Sequence, residues 1–200
     1  DEGSHGHVDA ALFRAWLEEP GPRIERIDEN DDAVLVERLP APRPHVWIFG
    51  AGHVGRALTD VLARLPRQRV VLVDERQAML PEEPPAAVTK LFARQPEALV
   101  PRILGGAAVL VMTHSHARDL AIVARALARR DLGFVGLIGS KTKRARFETR
   151  LAEAGIDRAS LARLVCPIGQ PGIAGKEPEV IAVAVTAQIL EHYGRDPRYG

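Results

Sequence analysis

The residues best suited to chemistry in this 200-residue chain fall into four short segments. The first, Gly50-Ala51-Gly52-His53-Val54-Gly55, follows an apolar stretch and opens a helical pattern. A backbone approaches a phosphate closely only where side chains are missing, which Gly50 and Gly52 provide, while Gly55 lets helix and strand pack. His53 brings an imidazole next to any anion held there, or else stands on the surface as an ordinary polar residue. Asp74 ends the following apolar stretch. It fits a ribose hydroxyl or a turn cap equally well, and Arg76 is placed to pair with it or to meet a phosphate.

The second segment, Thr113-His114-Ser115-His116, offers two imidazoles and a hydroxyl, with Asp119 one turn further on. Asp119 suits the positive end of a helix dipole and can orient a histidine. Two histidines and a carboxylate can ligate a divalent metal, but alternate loop positions are less specific for that than a helical pair four apart. Hydrogen bonding to an organic cofactor is the favoured reading. The plainer alternative has Ser115 capping the helix, Asp119 bonding nearby backbone, and both histidines in solvent.

In the third segment, Gly139-Ser140 leads into Lys141, Lys143 and Arg144, with Arg146 beyond. Cations at a helix start oppose the dipole and lose a few tenths of a kcal/mol each unless an anion sits there. Their placement therefore points to a phosphate, a solvated basic face being the alternative. The fourth segment is Cys166 and the Pro- and Gly-punctuated loop to Lys176, of the kind that shapes a pocket. A free cysteine is commonly a buried small hydrophobe, and a sulfur-handling role would require a lowered thiol pKa.

These segments need a scaffold that brings them together. His45 to Phe49, Val70 to Val73, Ala87 to Phe92, Ala107 to Met112 and Phe134 to Ile138 read as strands. A sixth strand should end at Cys166. Helices are expected over 54–65, 117–130, 141–154, 157–164 and 178–193. Strict alternation of this kind implies an α/β fold, a Rossmann-like doubly wound parallel sheet whose ligands bind beyond the carboxyl ends of the strands. The last helix is apolar nearly all round, so it should be buried against the sheet or a partner subunit, and a homodimer is one outcome. Residues 1–44 form a separate amino-terminal segment, with a helix over Val8 to Glu19, a strand at Val34 to Val36 and a linker stiffened by Pro40, Pro42 and Pro44. The main domain is expected over 45–200.

Lys and Arg number 27 against 26 for Asp and Glu, which leaves no global attraction to nucleic acid or to a membrane surface. The longest fully apolar runs, Ala107 to Met112 and Val180 to Val185, are far shorter than the roughly 20 residues a spanning helix needs. Cys166 is the only cysteine, which excludes an internal disulfide and suits a reducing, cytoplasmic setting.

Taken in order, Phe49 to Leu58, Met112 to His116 with Asp119-Leu120, Gly136 to Phe147, and Cys166-Pro167-Ile168-Gly169 with Gly175-Lys176-Glu177-Pro178 closely resemble the xanthine dehydrogenase accessory protein family of the XdhC type. The resemblance runs from about His45 to Glu191. It implies a non-catalytic factor that binds molybdenum cofactor, helps it gain a sulfido ligand through a cysteine desulfurase, and passes it to apo xanthine dehydrogenase. On that reading the pterin phosphate lies over Gly50 to Gly55 and Ser140 to Arg144, with His114, His116 and Cys166 nearer the pterin or metal. The family's amino-terminal module carries a Gly-rich, Cys-containing motif that does not occur before His45, so a truncated or diverged beginning is expected. The rival expectation is an NAD(P)-dependent oxidoreductase, prompted by the glycine turn and Asp74, although no tyrosine–lysine or cysteine–histidine pair is spaced for hydride chemistry. A nucleotide-sensing regulatory domain is the third.

Overall fold

The computed structural model describes residues 23–26, 33–36, 45–66 and 68–195. The chain divides into two units, 1–41 and 42–200. In the first, β1 (Arg23–Arg26) pairs antiparallel with β2 (Ala33–Val36), Ile24 opposite Leu35. The sequence suggested only the second of these strands, and the helix expected over Val8 to Glu19 lies outside the described residues.

The second unit carries the site. Its elements are β3 (Val46–Phe49), α1 (His53–Ala63), β4 (Val70–Asp74), β5 (Val88–Phe92), β6 (Ala108–Val111), α2 (His116–Ala128), β7 (Phe134–Leu137), α3 (Lys141–Glu153), α4 (Arg158–Ala162), β8 (Leu164–Val165) and α5 (Pro178–Gly194). The strands form a parallel sheet in the order β5-β4-β3-β6-β7-β8, in which Val46 is aligned with Val70 on one side and Ala108 on the other. The chain leaves β3 in one direction, then returns to β6 on its other flank. Such a reversal splays the connections apart and opens a crevice at the carboxyl ends of β3 and β6.

Because side chains alternate across a strand, the apolar strands feed two cores. Phe49, Val73, Val111 and Leu137 face Ile122 and Leu127 of α2 and Phe147 and Leu151 of α3. Ile48, Leu72 and Leu110 face Leu58 and Leu62 of α1 and Val185 and Ile189 of α5. The last helix is therefore buried against its own domain, chiefly on α1.

One expectation is corrected. Helices do not alternate strictly with strands: β4 is joined to β5 through a single 3-10 turn, Gln77–Met79, and β5 to β6 through a 3-10 helix, Pro96–Arg102. Pro81, Pro84 and Pro85 in the first link, and Pro96 and Pro101 in the second, lack the amide hydrogens that a longer α-helix would need.

Candidate functional site

The glycine turn joins β3 to α1, and its three glycines answer to different constraints. Gly50 has φ +114°, and a Cβ there would stand 2.3 Å from the Met112 carbonyl oxygen. A Cβ on Gly55 would stand 1.9 Å from the carbonyl oxygen of Gly50. Both are demanded by backbone packing. Gly52 is not, since a Cβ there meets nothing within 4 Å. It is the N-cap of α1, and no side chain caps that helix entry. His53 opens the helix and is exposed.

Asp74, buried at the end of β4, holds the turn from the adjacent strand. One carboxylate oxygen accepts the Ala51 amide at 2.7 Å and Arg76 Nη2 at 3.1 Å; the other accepts the Arg76 amide at 2.8 Å and Arg76 Nε at 3.0 Å. Burial pushes this carboxyl up, but the Arg76 side chain and the Ala51 and Arg76 amides outweigh it and leave the group below its ordinary pKa. Arg56 braces the same turn from the helix side, donating from Nε to Ala51 O at 3.1 Å and from Nη2 to Met79 O at 2.6 Å. The sequence offered no signal for that role.

The two histidines after β6 diverge. His114 Nε2 lies 3.4 Å from Glu75 Oε1. Glu75 also accepts Arg118 Nε at 2.8 Å, and Arg118 reaches on to Glu97 at 3.0 Å and the Arg94 carbonyl at 3.0 Å. This network fills the crevice between β3 and β6: the cavity against Gly50, Asp74, His114 and Arg118 holds only about 10 Å³, room for about one water. His116 instead opens α2, with its ring edge-on to Phe147 of α3 at 6.4 Å. Ser115 caps α2, accepting the Arg118 amide at 3.4 Å. Among the described residues, no three His, Cys, Asp or Glu side chains gather as metal ligands.

Asp119 has no exposed surface. One oxygen accepts the Thr113 amide at 3.0 Å and its hydroxyl at 2.7 Å, and the other accepts Lys143 Nζ at 2.8 Å. Its partners are thus Thr113 and Lys143 rather than a histidine, because the loop folds back on the helix start that it precedes.

At the start of α3, Ser140 is the N-cap and accepts the Lys143 amide at 3.2 Å. Lys143 donates to Asp119 and, at 2.9 Å, to the Ile138 carbonyl, and its ammonium lies 5.4 Å from the Phe147 ring centre. Gly139 clears its path, since a Cβ there would come within 2.6 Å of Lys143 Cδ. Arg144 pairs with Glu148 at 2.8 Å, leaving Lys141 exposed. Two of the cations that sequence reasoning assigned to a phosphate are therefore held by protein acceptors. Alongside α3 runs a cavity of about 300 Å³, walled by His116, Gly139, Ser140, Thr142, Lys143, Arg146, Phe147 and Arg150.

Cys166, behind this helix start, is buried, with Sγ 3.9 Å from the Ser140 carbonyl oxygen. Burial pushes its thiol up, against the opposing charges of Lys143 and Arg144. That environment favours the neutral thiol over the nucleophilic thiolate. Of the sequence-selected residues, His116, Gly139, Ser140 and Lys143 share one cavity wall with Cys166 behind it, while Gly50, Asp74 and His114 share the other.

A parallel sheet in this strand order, with a glycine turn leading from its central strand into a helix, defines a Rossmann-type domain. Residues 46–189 match the XdhC Rossmann domain, and the chain belongs to that family. It is 32% identical over 151 residues to the uncharacterized protein YqeB of Escherichia coli K12, a match covering 74% of this chain and 27% of YqeB. The crystal structure of a xanthine dehydrogenase from Bacillus halodurans superposes with a TM-score of 0.67 at 21% identity, covering 96% of this chain and 53% of that one. A Rossmann-fold NAD(P)-binding family protein from Shigella flexneri superposes at 0.52 with 16% identity, covering 78% of this chain and 90% of its own. The chain thus spans about a quarter of YqeB and about half of the Bacillus chain. At such identities the structural likenesses speak to the fold.

Proposed function

We propose that this domain serves as an accessory factor to xanthine dehydrogenase: it binds molybdenum cofactor, assists its sulfuration by a cysteine desulfurase, and delivers it to the apo-enzyme. The observation that carries the reading is the cavity along α3. Its wall combines the Ser140 and Thr142 hydroxyls, two arginines and an imidazole, a donor set suited to a phosphorylated, hydrogen-bonding heterocycle. The open, uncapped entry of α1 at Gly52 offers backbone amides at the same carboxyl edge of the sheet. The residues present therefore fit the organic part of the cofactor. When bound, the cofactor supplies a redox-active metal centre for the dehydrogenase, and this chain's own residues hold and shield its organic part. The lone thiol at Cys166, buried and protonated, has a packing role in this scheme.

The test is to mix the protein with molybdenum cofactor, remove free ligand, and assay molybdenum and pterin in the protein fraction, then to add apo xanthine dehydrogenase and follow its activity. Retention followed by activation supports the proposal. A folded protein that retains neither metal nor pterin removes it.

The nicotinamide reading gains less support. Both Asp74 oxygens already accept protein donors, and the crevice beside Gly50 is nearly filled by the Glu75, His114 and Arg118 network.

A further inference from the structure

Many arginines of this domain meet acceptors. Arg76 meets Asp74, Arg118 meets Glu75 and Glu97, Arg129 meets Asp131, Arg144 meets Glu148, and Arg163 meets two backbone carbonyls. Arg64, Arg69, Arg94, Arg102 and Arg158 meet none among the described residues, and neither do Arg146 and Arg150, but of these only the last two line the cavity along α3. They stand one turn apart on α3, both on the wall of the same cavity, and neither meets a carboxylate among the described residues. Like charges one turn apart on a helix repel each other, and an anion between them reverses the sign of that interaction.

We propose that the α3 cavity is a site for a phosphate ester, its anion held by Arg146 and Arg150. The proposal rests on the cofactor reading for the identity of the molecule that carries the phosphate, but not for the existence of the site. The Lys143 charge is already answered by Asp119, a carboxylate with no exposed surface, and Arg144 pairs with Glu148 and does not line the cavity. The anion therefore sits further along the helix than the cation-rich start of α3 suggests. A guanidinium presents a planar fork that matches two oxygens of an oxyanion, and a terminal phosphate, with three oxygens and about two negative charges, answers a pair of such forks where a carboxylate answers one. Thr142 adds a hydroxyl on the same wall, and His116 brings an imidazole from α2. Phe147, beneath Lys143, gives the cavity an apolar floor for whatever carries the phosphate. A volume of about 300 Å³ fits a small phosphorylated molecule.

The experiment uses the whole chain at low ionic strength, with inorganic pyrophosphate as the probe and calorimetry or phosphorus NMR line-broadening as the readout. Wild-type protein is expected to bind one pyrophosphate. The R146A/R150A variant should bind it roughly tenfold or more weakly, whereas R102A, which removes an exposed arginine outside the cavity, should match wild type. R146K/R150K keeps both charges without the planar forks and should fall between the two, which separates recognition from simple charge. Pyrophosphate binding that survives in R146A/R150A, or that wild type lacks, overturns the site. So does tighter binding of a single-stranded RNA oligonucleotide lost in the same variant, which would make this a polynucleotide surface. Pyrophosphate binding without retention of molybdenum cofactor would sink the cofactor reading and leave the site standing. Full cofactor retention by R146A/R150A, with its pyrophosphate binding undiminished, would do the reverse.

Discussion

The Lys143 ammonium lies 2.8 Å from the Asp119 carboxylate, and this contact ties the start of α3 to the first turn of α2. Asp119 is fully enclosed and Lys143 nearly so, so the pair holds the two loop ends at the sheet edge in one arrangement. Breaking a buried pair from one side leaves an uncompensated charge, which costs more than the pair contributes. Lys143→Ala should therefore destabilise the domain by about 3 to 5 kcal/mol. The double variant Lys143→Met, Asp119→Asn should recover a substantial part of that loss, because no charge is then stranded and the side-chain oxygen still accepts the Thr113 amide and hydroxyl. Urea unfolding followed by circular dichroism measures both. Equal destabilisation of the single and double variants would show that the pair's charge is not what matters.

The three glycines of the turn make a second test, because packing separates them. Gly50→Ala puts a side chain in left-handed backbone and into the Met112 carbonyl, and Gly55→Ala drives one into Gly50. Each should cost at least about 1 to 3 kcal/mol or abolish folding. Gly52→Ala meets open space and should leave the thermal midpoint within a few degrees of wild type. If the α1 entry receives a ligand, the same Gly52→Ala protein should hold cofactor less well, since the new methyl group occupies the approach to the helix amides. Loss of stability in Gly52→Ala would contradict the open geometry.

Asp74 supplies the pH dependence. Its carboxyl is depressed in the folded state, so the charged form contributes stability that is fully present above the unfolded value of about 3.9 and is lost as pH falls through the lower folded value. Wild-type stability should thus be flat near neutrality in this respect and decline steeply below about pH 4. Asp74→Asn should be weaker by about 1 to 3 kcal/mol near neutrality and decline less steeply in acid. Chemical unfolding at a series of pH values gives the comparison. Parallel profiles for the two proteins would remove Asp74 as a source of the slope.

What the sequence revealed and what it hid divide along physical lines. The strand before Gly50, the helix after it and the strand ending at Asp74 were legible because apolar period and glycine placement are local. The caps at Ser115 and Ser140 follow from the same local chemistry. The links on either side of β5 were misjudged because alternation was extrapolated past prolines that forbid it. Partner choice was hidden altogether. Lys143 finds Asp119 across a strand and two loops, and Arg118 finds Glu75 and Glu97 from two other strand ends. Those pairings exist only once the sheet has set its order, and no local pattern carries them. Arg146 looked like the tail of a basic run, and Arg150, beyond Glu148, carried no signal in the sequence. Their place on the cavity wall and the lack of a carboxylate partner among the described residues, both visible in three dimensions, distinguish them from Arg144.

The packing of α5 on α1 joins segments from opposite ends of the domain's sequence. Leu58 and Leu62 come early, Val185 and Ile189 come last, and they share one core. Until α5 has been synthesised, α1 covers this face of the sheet without its partner helix, and Leu58 and Leu62 lack part of their apolar surroundings. Nicking within residues 169–177 would sever the cover from the sheet without touching a single strand.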